Sequence, residues 1–242
     1  MRFTSATMSN DVLEHHFTID GIPGVLWTPA DAVNAHPLVL LGHGGGAHKK
    51  TSAVVAHAHH FVTAYGFAAA AIDAPWHGDR PKTEESELLL AAFREAATAG
   101  GDITTPVAEY NAAVAAVAVT EWQTTLAALA DTVGTGPVGY WGVSMGTVIG
   151  VPLVAAEPRI TAAVLGLAGH NSLNDTAATI TDPVQFLVQW HDELVPRDAA
   201  LALFSAFASP EKTLHANPGR HRDVPAFELE SSGRFLNRHL AM

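Results

Sequence analysis

Apolar runs of strand length alternate along this chain with longer stretches of helical period, the pattern of βαβ units feeding a mostly parallel sheet. Residues 13–20 and 22–27 are expected to open the fold as two strands joined by a turn at Asp20 and Gly21, and Pro23 argues for an edge position. Residues 37–41 predict a buried strand running into a glycine-rich loop, residues 51–65 a helix stopped by Gly66, and residues 67–73 another buried strand. A polar stretch punctuated by Gly and Pro follows over 74–105. It predicts a small lid with one helix, about 84–97, closed by Gly100 and Gly101. Thr105 and Pro106 then start a long alanine-rich helix that reaches Asp131. Further strands are expected at 138–143, 160–167, 184–190 and 212–216, with helices from Met145 onward, over 197–207 and over 227–240. The expectation is one α/β domain over residues 1–242: a mostly parallel, twisted, eight-stranded sheet with helices on both faces and a small helical lid.

Composition narrows the chemistry. A chain of 242 residues buries roughly 70% of the surface its unfolded form exposes, enough for a full core without staples. With 0 Cys, disulfides, thiolate zinc sites, iron–sulfur clusters and a cysteine nucleophile are excluded. The 13 Lys+Arg against 24 Asp+Glu give a net charge of -11, a surface that repels phosphate backbones and anionic headgroups. No nucleic-acid or membrane partner is expected. The apolar runs fall far short of the roughly 18 residues a bilayer span needs, so the expectation is a cytoplasmic protein without a signal peptide. Oligomeric state stays open.

The chemistry concentrates at Gly142-Val143-Ser144-Met145-Gly146, a G-x-S-x-G motif between a predicted strand and a predicted helix. Small neighbours let a serine occupy the strained turn that lifts its hydroxyl above the sheet. A serine hydroxyl is a weak nucleophile until a base takes its proton, and that base must be held by a carboxylate. Downstream, Asp192 directly follows a hydrophobic strand and is the expected orienting acid, with adjacent Glu193 as its rival. Among 14 histidines, His221 lies in a loop after the last strand and comes after the acid in the required order, whereas His215 and His239 lie inside elements and read as structural. His57, His59 and His60 cluster on the first long helix, but no carboxylate sits among them, so no metal is expected there. No cofactor is expected either. The loop Gly42-His43-Gly44-Gly45-Gly46 offers backbone N–H groups for an oxyanion, and Met145, the residue after the serine, offers a second donor.

Over nearly its whole length the chain resembles the α/β-hydrolases, more narrowly the small serine esterases akin to dienelactone hydrolases and prolyl-oligopeptidase-type esterases. The resemblance rests on the His43 to Gly46 loop, the segment Asp73-Ala74-Pro75-Trp76-His77-Gly78-Asp79, the elbow at Ser144, the turn Asp192-Glu193-Leu194-Val195-Pro196 and the His221 loop. It implies Ser144, Asp192 and His221 as the triad and Gly45 with Met145 as oxyanion donors. It also implies a carboxylic ester hydrolase whose partners are a small-molecule ester and water. Dienelactone hydrolases proper use a cysteine, absent here, and prolyl oligopeptidases carry a large extra domain for which this chain has no room. Thioester, lactone and amide or peptide hydrolysis by the same triad remain open, as does a non-catalytic ligand-binding scaffold. Leu89 and Phe93 on the lid helix, with Leu88 and Leu90, are expected to line an acyl pocket, and Trp76 and His77 to wall it. Lys49, Lys50, Arg80 and Arg220 are candidate carboxylate receptors, although loop cations are more often solvated.

Overall fold

The structure is a computed structural model that describes residues 1–30, 36–101, 103–134 and 136–241. Its nine strands are β1 (Arg2–Ser9), β2 (Val12–Ile19), β3 (Ile22–Pro29), β4 (Leu38–Gly42), β5 (Ala68–Ile72), β6 (Val138–Gly142), β7 (Ile160–Gly166), β8 (Val184–Gln189) and β9 (Lys212–Asn217). They form one sheet in the order β1-β2-β3-β5-β4-β6-β7-β8-β9, parallel from β5 to β9 and antiparallel at the β1-β2-β3-β5 end.

The sheet therefore has nine strands where eight were expected. The added strand, β1, is exposed along its whole length, so burial imposes no apolar alternation on it. It is joined to β2 by Asn10 and Asp11, both with positive φ, as a two-residue hairpin turn requires. Pro23 also departs from expectation, because β3 is an interior strand. Its missing N–H does no harm: the pairing with β5 begins one residue later, at Gly24 opposite Ile72, and the Pro23 carbonyl accepts the N–H of Asp73.

Helices cover both faces. On one lie α1 (Ser52–Tyr65) and, from the carboxyl end of the chain, α7 (Phe227–Leu240), which bury Val54, Phe61, Phe235 and Leu236 against β4, β5 and β7. On the other lie α3 (Thr104–Val133), α4 (Met145–Ala156) and α6 (Arg197–Ala206), whose core includes Val114, Trp122, Leu129, Ile149 and Leu203. Among the described residues α3 is the one helix long and apolar enough to cross a membrane, and here Ala118, Trp122 and Leu126 are packed into the core. The remaining helices are α2 (Glu84–Thr98), in the lid stretch, and the single turn α5 (Asn174–Ala177) beside a 3-10 turn at Asn171–Leu173. Strand β5 reads Ala-Ala-Ala-Ala-Ile, a helix-forming sequence held as strand by neighbours on both edges and cover on both faces. Small side chains there let the helices approach the sheet closely.

Candidate active site

Strand β6 ends at Gly142, and Ser144 turns the chain into α4 with φ 59° and ψ -123°, a conformation strained for any residue with a side chain. Several contacts over-determine it. The Ser144 N–H donates to the Gly166 carbonyl at 2.9 Å. The buried Thr147 hydroxyl lies 2.6 Å from that same oxygen and accepts the Gly166 N–H at 2.8 Å. Tyr140, buried, donates its hydroxyl to the Gly146 carbonyl at 2.6 Å. Gly146 packs directly on the end of β4, where a Cβ would stand 2.7 Å from the Gly42 carbonyl oxygen, so a larger residue would push the elbow off the sheet.

His221 and Asp192 converge on Ser144 from the loops after β9 and β8. His221 Nε2 lies 3.0 Å from Ser144 Oγ, and His221 Nδ1 lies 2.7 Å from Asp192 Oδ2. The other carboxylate oxygen of Asp192 accepts the N–H groups of Leu194 and Val195 at 2.8 and 2.9 Å. Burial alone would raise the Asp192 pKa; the hydrogen bonds from His221 and these two N–H groups outweigh it and hold the carboxyl below the usual range. Glu193 points elsewhere: its carboxylate accepts the backbone N–H of His221 at 3.0 Å, holding the loop rather than the ring. Gln189, buried at the end of β8, donates to the Arg220 carbonyl at 3.1 Å and ties the two loops together.

The glycine loop after β4 stands opposite. Of the loop's glycines Gly44 comes nearest the serine, with a Cβ placed there falling 3.9 Å from Ser144 Cβ, while a Cβ at Gly45 would meet nothing within 4 Å. Among the described residues the N–H groups of Gly45 and Met145 have no hydrogen-bond partner, and that of Met145 is the first of α4, at the positive end of the helix dipole. His43 anchors the loop. Its Nε2 accepts the Ala74 N–H at 3.0 Å, so the proton sits on Nδ1, which donates to the Gly44 carbonyl at 2.9 Å. Burial pushes its pKa down to about 4, and the ring is neutral.

Beneath that loop lies a buried ion network. Asp73 accepts the backbone N–H of Lys49 at 2.9 Å, the Lys49 ammonium at 2.6 Å and the N–H of Asp79 at 2.8 Å. Gly78 makes this possible, since any Cβ there would overlap the Asp73 carboxylate. Lys49 also pairs with Asp79, Lys50 with Glu14, and Arg80 forms a two-pronged pair with Glu121 at 2.7 and 2.9 Å. Three of the four candidate receptor cations are thus committed to internal carboxylates, and the fourth, Arg220, faces Glu193 at 3.4 Å.

A cavity of about 480 Å³ opens onto Ser144 and His221. Its walls come from α3, from Val148 and Pro152 on α4, from Leu167 to His170, from Leu173 and Thr176, and from Leu194, Val195 and Pro196 beside the acid. Of the described residues of the lid helix, Phe93 alone reaches it. Leu89 does not line it, and Leu88 is 67% exposed. Trp76 and His77 do not line it either; their rings pack against Tyr110, and that of His77 also against His43. The wall on that side comes from α3, through a stripe of mostly small side chains. That stripe recurs at helical spacing in the alanine-rich stretch and is the signal by which the wall is legible in the sequence.

Among the described residues no group of three or more His, Asp or Glu could hold a metal ion. His57 stacks on Trp141 with ring centroids 3.8 Å apart and bonds to the Ala53 carbonyl.

No protein-family model matches the chain, and no curated protein matches it. Solved structures do. A cold-adapted esterase from an Arctic intertidal metagenomic library, in its PEG-bound complex, is 35% identical with a TM-score of 0.80, covering 99% of this chain and 100% of that one. Est1E from Butyrivibrio proteoclasticus, solved with ferulic acid, is 16% identical with a TM-score of 0.68, covering 94% and 99%. Acetyl xylan esterase 1 from Thermoanaerobacterium is 14% identical with a TM-score of 0.69, covering 98% and 87%. The last two share the fold.

Proposed function

The chain belongs to the esterases of the α/β-hydrolase superfamily and is a carboxylesterase-like hydrolase, and from that premise we propose that it cleaves carboxylic esters through a covalent acyl-enzyme on Ser144. Ser144 Oγ attacks the acyl carbon while His221 Nε2 takes the hydroxyl proton. The carbonyl oxygen becomes an oxyanion held by the N–H groups of Met145 and Gly45, in a field already favourable to negative charge at the start of α4. Collapse breaks the bond to the alkoxy oxygen, which leaves as the alcohol with the proton from His221. A water then gives its proton to His221, attacks the acyl carbon and frees the acid, and the proton returns to Ser144. Asp192, ionised at neutral pH, fixes the ring and stabilises its charged form.

The observation that carries this reading is the hydrogen-bonded line from Asp192 through His221 to Ser144, with both heavy-atom separations in the range for proton transfer. Hydrolysis of p-nitrophenyl esters beside the Ser144→Ala protein tests it. Turnover is expected to fall by about four to six orders of magnitude, with labelling by a fluorophosphonate lost in parallel. An unchanged rate in the variant would sink the acyl-enzyme.

A further inference from the structure

The shape of the cavity says what it holds. The α3 residues on its wall run from Thr104 to Val119 at steps of one helical turn, and at about 1.5 Å of rise per residue that stripe is about 22 Å long. The space is a trough along the helix. At its centre the stripe carries the small side chains of Ala108, Ala112, Ala115 and Ala116, with the uncharged amide of Asn111 beside them.

Charge points the same way. Among the described residues no Lys, Arg, Asp or Glu lines the trough. Lys49, Lys50 and Arg80 are held by internal carboxylates and cannot reach in without breaking those pairs. A carboxylate carried into the trough would lose its water and find no cation.

We propose that this trough receives an elongated, uncharged, mainly apolar chain on one side of the scissile ester, and that Ala112 and Ala116 set the length that fits. The inference rests on the reading of Ser144 as the nucleophile, because the trough is a substrate site only where it meets that hydroxyl. Each methylene that moves from water onto an apolar wall strengthens transition-state binding by about fourfold, as long as wall remains to meet it. A side chain growing from Ala112 or Ala116 fills the trough, and longer substrates lose those methylenes first.

The test is a pair of chain-length series: p-nitrophenyl acetate, butyrate and octanoate for the acyl side, and ethyl, butyl and octyl acetate for the alcohol side. One series is expected to rise in kcat/KM by about fourfold per methylene before levelling; the arm that rises identifies which half of the ester lies in the trough. In Ala112→Phe and Ala116→Leu the ratio of long-chain to short-chain kcat/KM is expected to fall at least tenfold. Val117→Phe, on the same helix but off the stripe and 43% exposed, is expected to keep the wild-type ratio. Where the acyl series is the one that rises, a half-ester of succinic acid is expected to be at least tenfold poorer than a neutral ester of equal length. Flat profiles in both arms, or wild-type ratios in both alanine variants, overturn the proposal while leaving the acyl-enzyme intact. An enzyme that turns over every ester with Ser144 removed overturns the nucleophile instead.

Discussion

Two aspartates at the carboxyl ends of strands invite comparison, because they are built alike and do different things. Asp192, beyond β8, and Asp73, directly after β5, are both buried, both accept two backbone N–H groups, and both hold one cationic or protonated partner at 2.6 to 2.7 Å. In both, burial would raise the pKa and hydrogen bonding overrides it. The difference lies one atom further on. The partner of Asp192 is an imidazole whose far nitrogen meets Ser144 at the mouth of a cavity. The partner of Asp73 is the buried ammonium of Lys49, whose second contact is the solvent-exposed carboxylate of Asp79. On the proposed mechanism, geometry at the carboxylate does not separate a network that serves the chemistry from one that holds the fold; what the partner faces does.

Exchange of the two carboxylates for amides is the sharpest way to break the comparison. Asp192→Asn is expected to lower kcat by about three to four orders of magnitude with little change in unfolding midpoint, since the ring keeps a neighbour but loses its tautomer and counter-charge. Asp73→Asn is expected to cost about 3 kcal/mol of stability, because Lys49 stays buried with one carboxylate gone, while kcat per folded molecule holds. Urea unfolding and turnover measured on the same samples separate the two. Equal losses of kcat at matched folded fraction would mean that both networks serve the chemistry. A smaller effect concerns His43, which ties the glycine loop to the Asp73 segment. Its folded pKa of about 4 lies below the ordinary imidazole value of 6.5, so the unfolded chain takes up the proton first. The neutral ring stabilises the fold fully above pH 6.5, and that contribution drains away as pH falls toward 4. Between pH 6.5 and 5 the loss is about 2 kcal/mol at most, read as a falling urea midpoint, and His43→Gln is expected to flatten that slope.

The same contrast explains what the sequence discloses. Ser144 and Asp192 are legible because each sits just past an apolar strand, and strand ends are what periodicity locates; His221 follows the largely exposed β9 and is legible by its place in a loop after the acid. The choice between Asp192 and Glu193 is a matter of loop direction, which no pattern of apolar residues records. The role of Asp73 is hidden for a different reason: Lys49 is 24 residues upstream, and pairs across loops leave no local trace. Strand β1 escapes because it buries nothing, although Asn10 and Asp11 mark its turn. The helix expected over residues 84–97 is present as α2, but among the described residues its apolar face gives the cavity Phe93 alone.

The hydrogen bond between His221 and Ser144 spans 77 residues of sequence. A ribosome adding about 5 to 20 residues per second completes the elbow some 4 to 15 seconds before it reaches the histidine. During that interval the nascent chain carries Ser144 without its hydrogen-bond partner. Translation order thus sets an order of assembly: the elbow is made first, and the contact with His221 closes only after β9 has been made and has paired with β8.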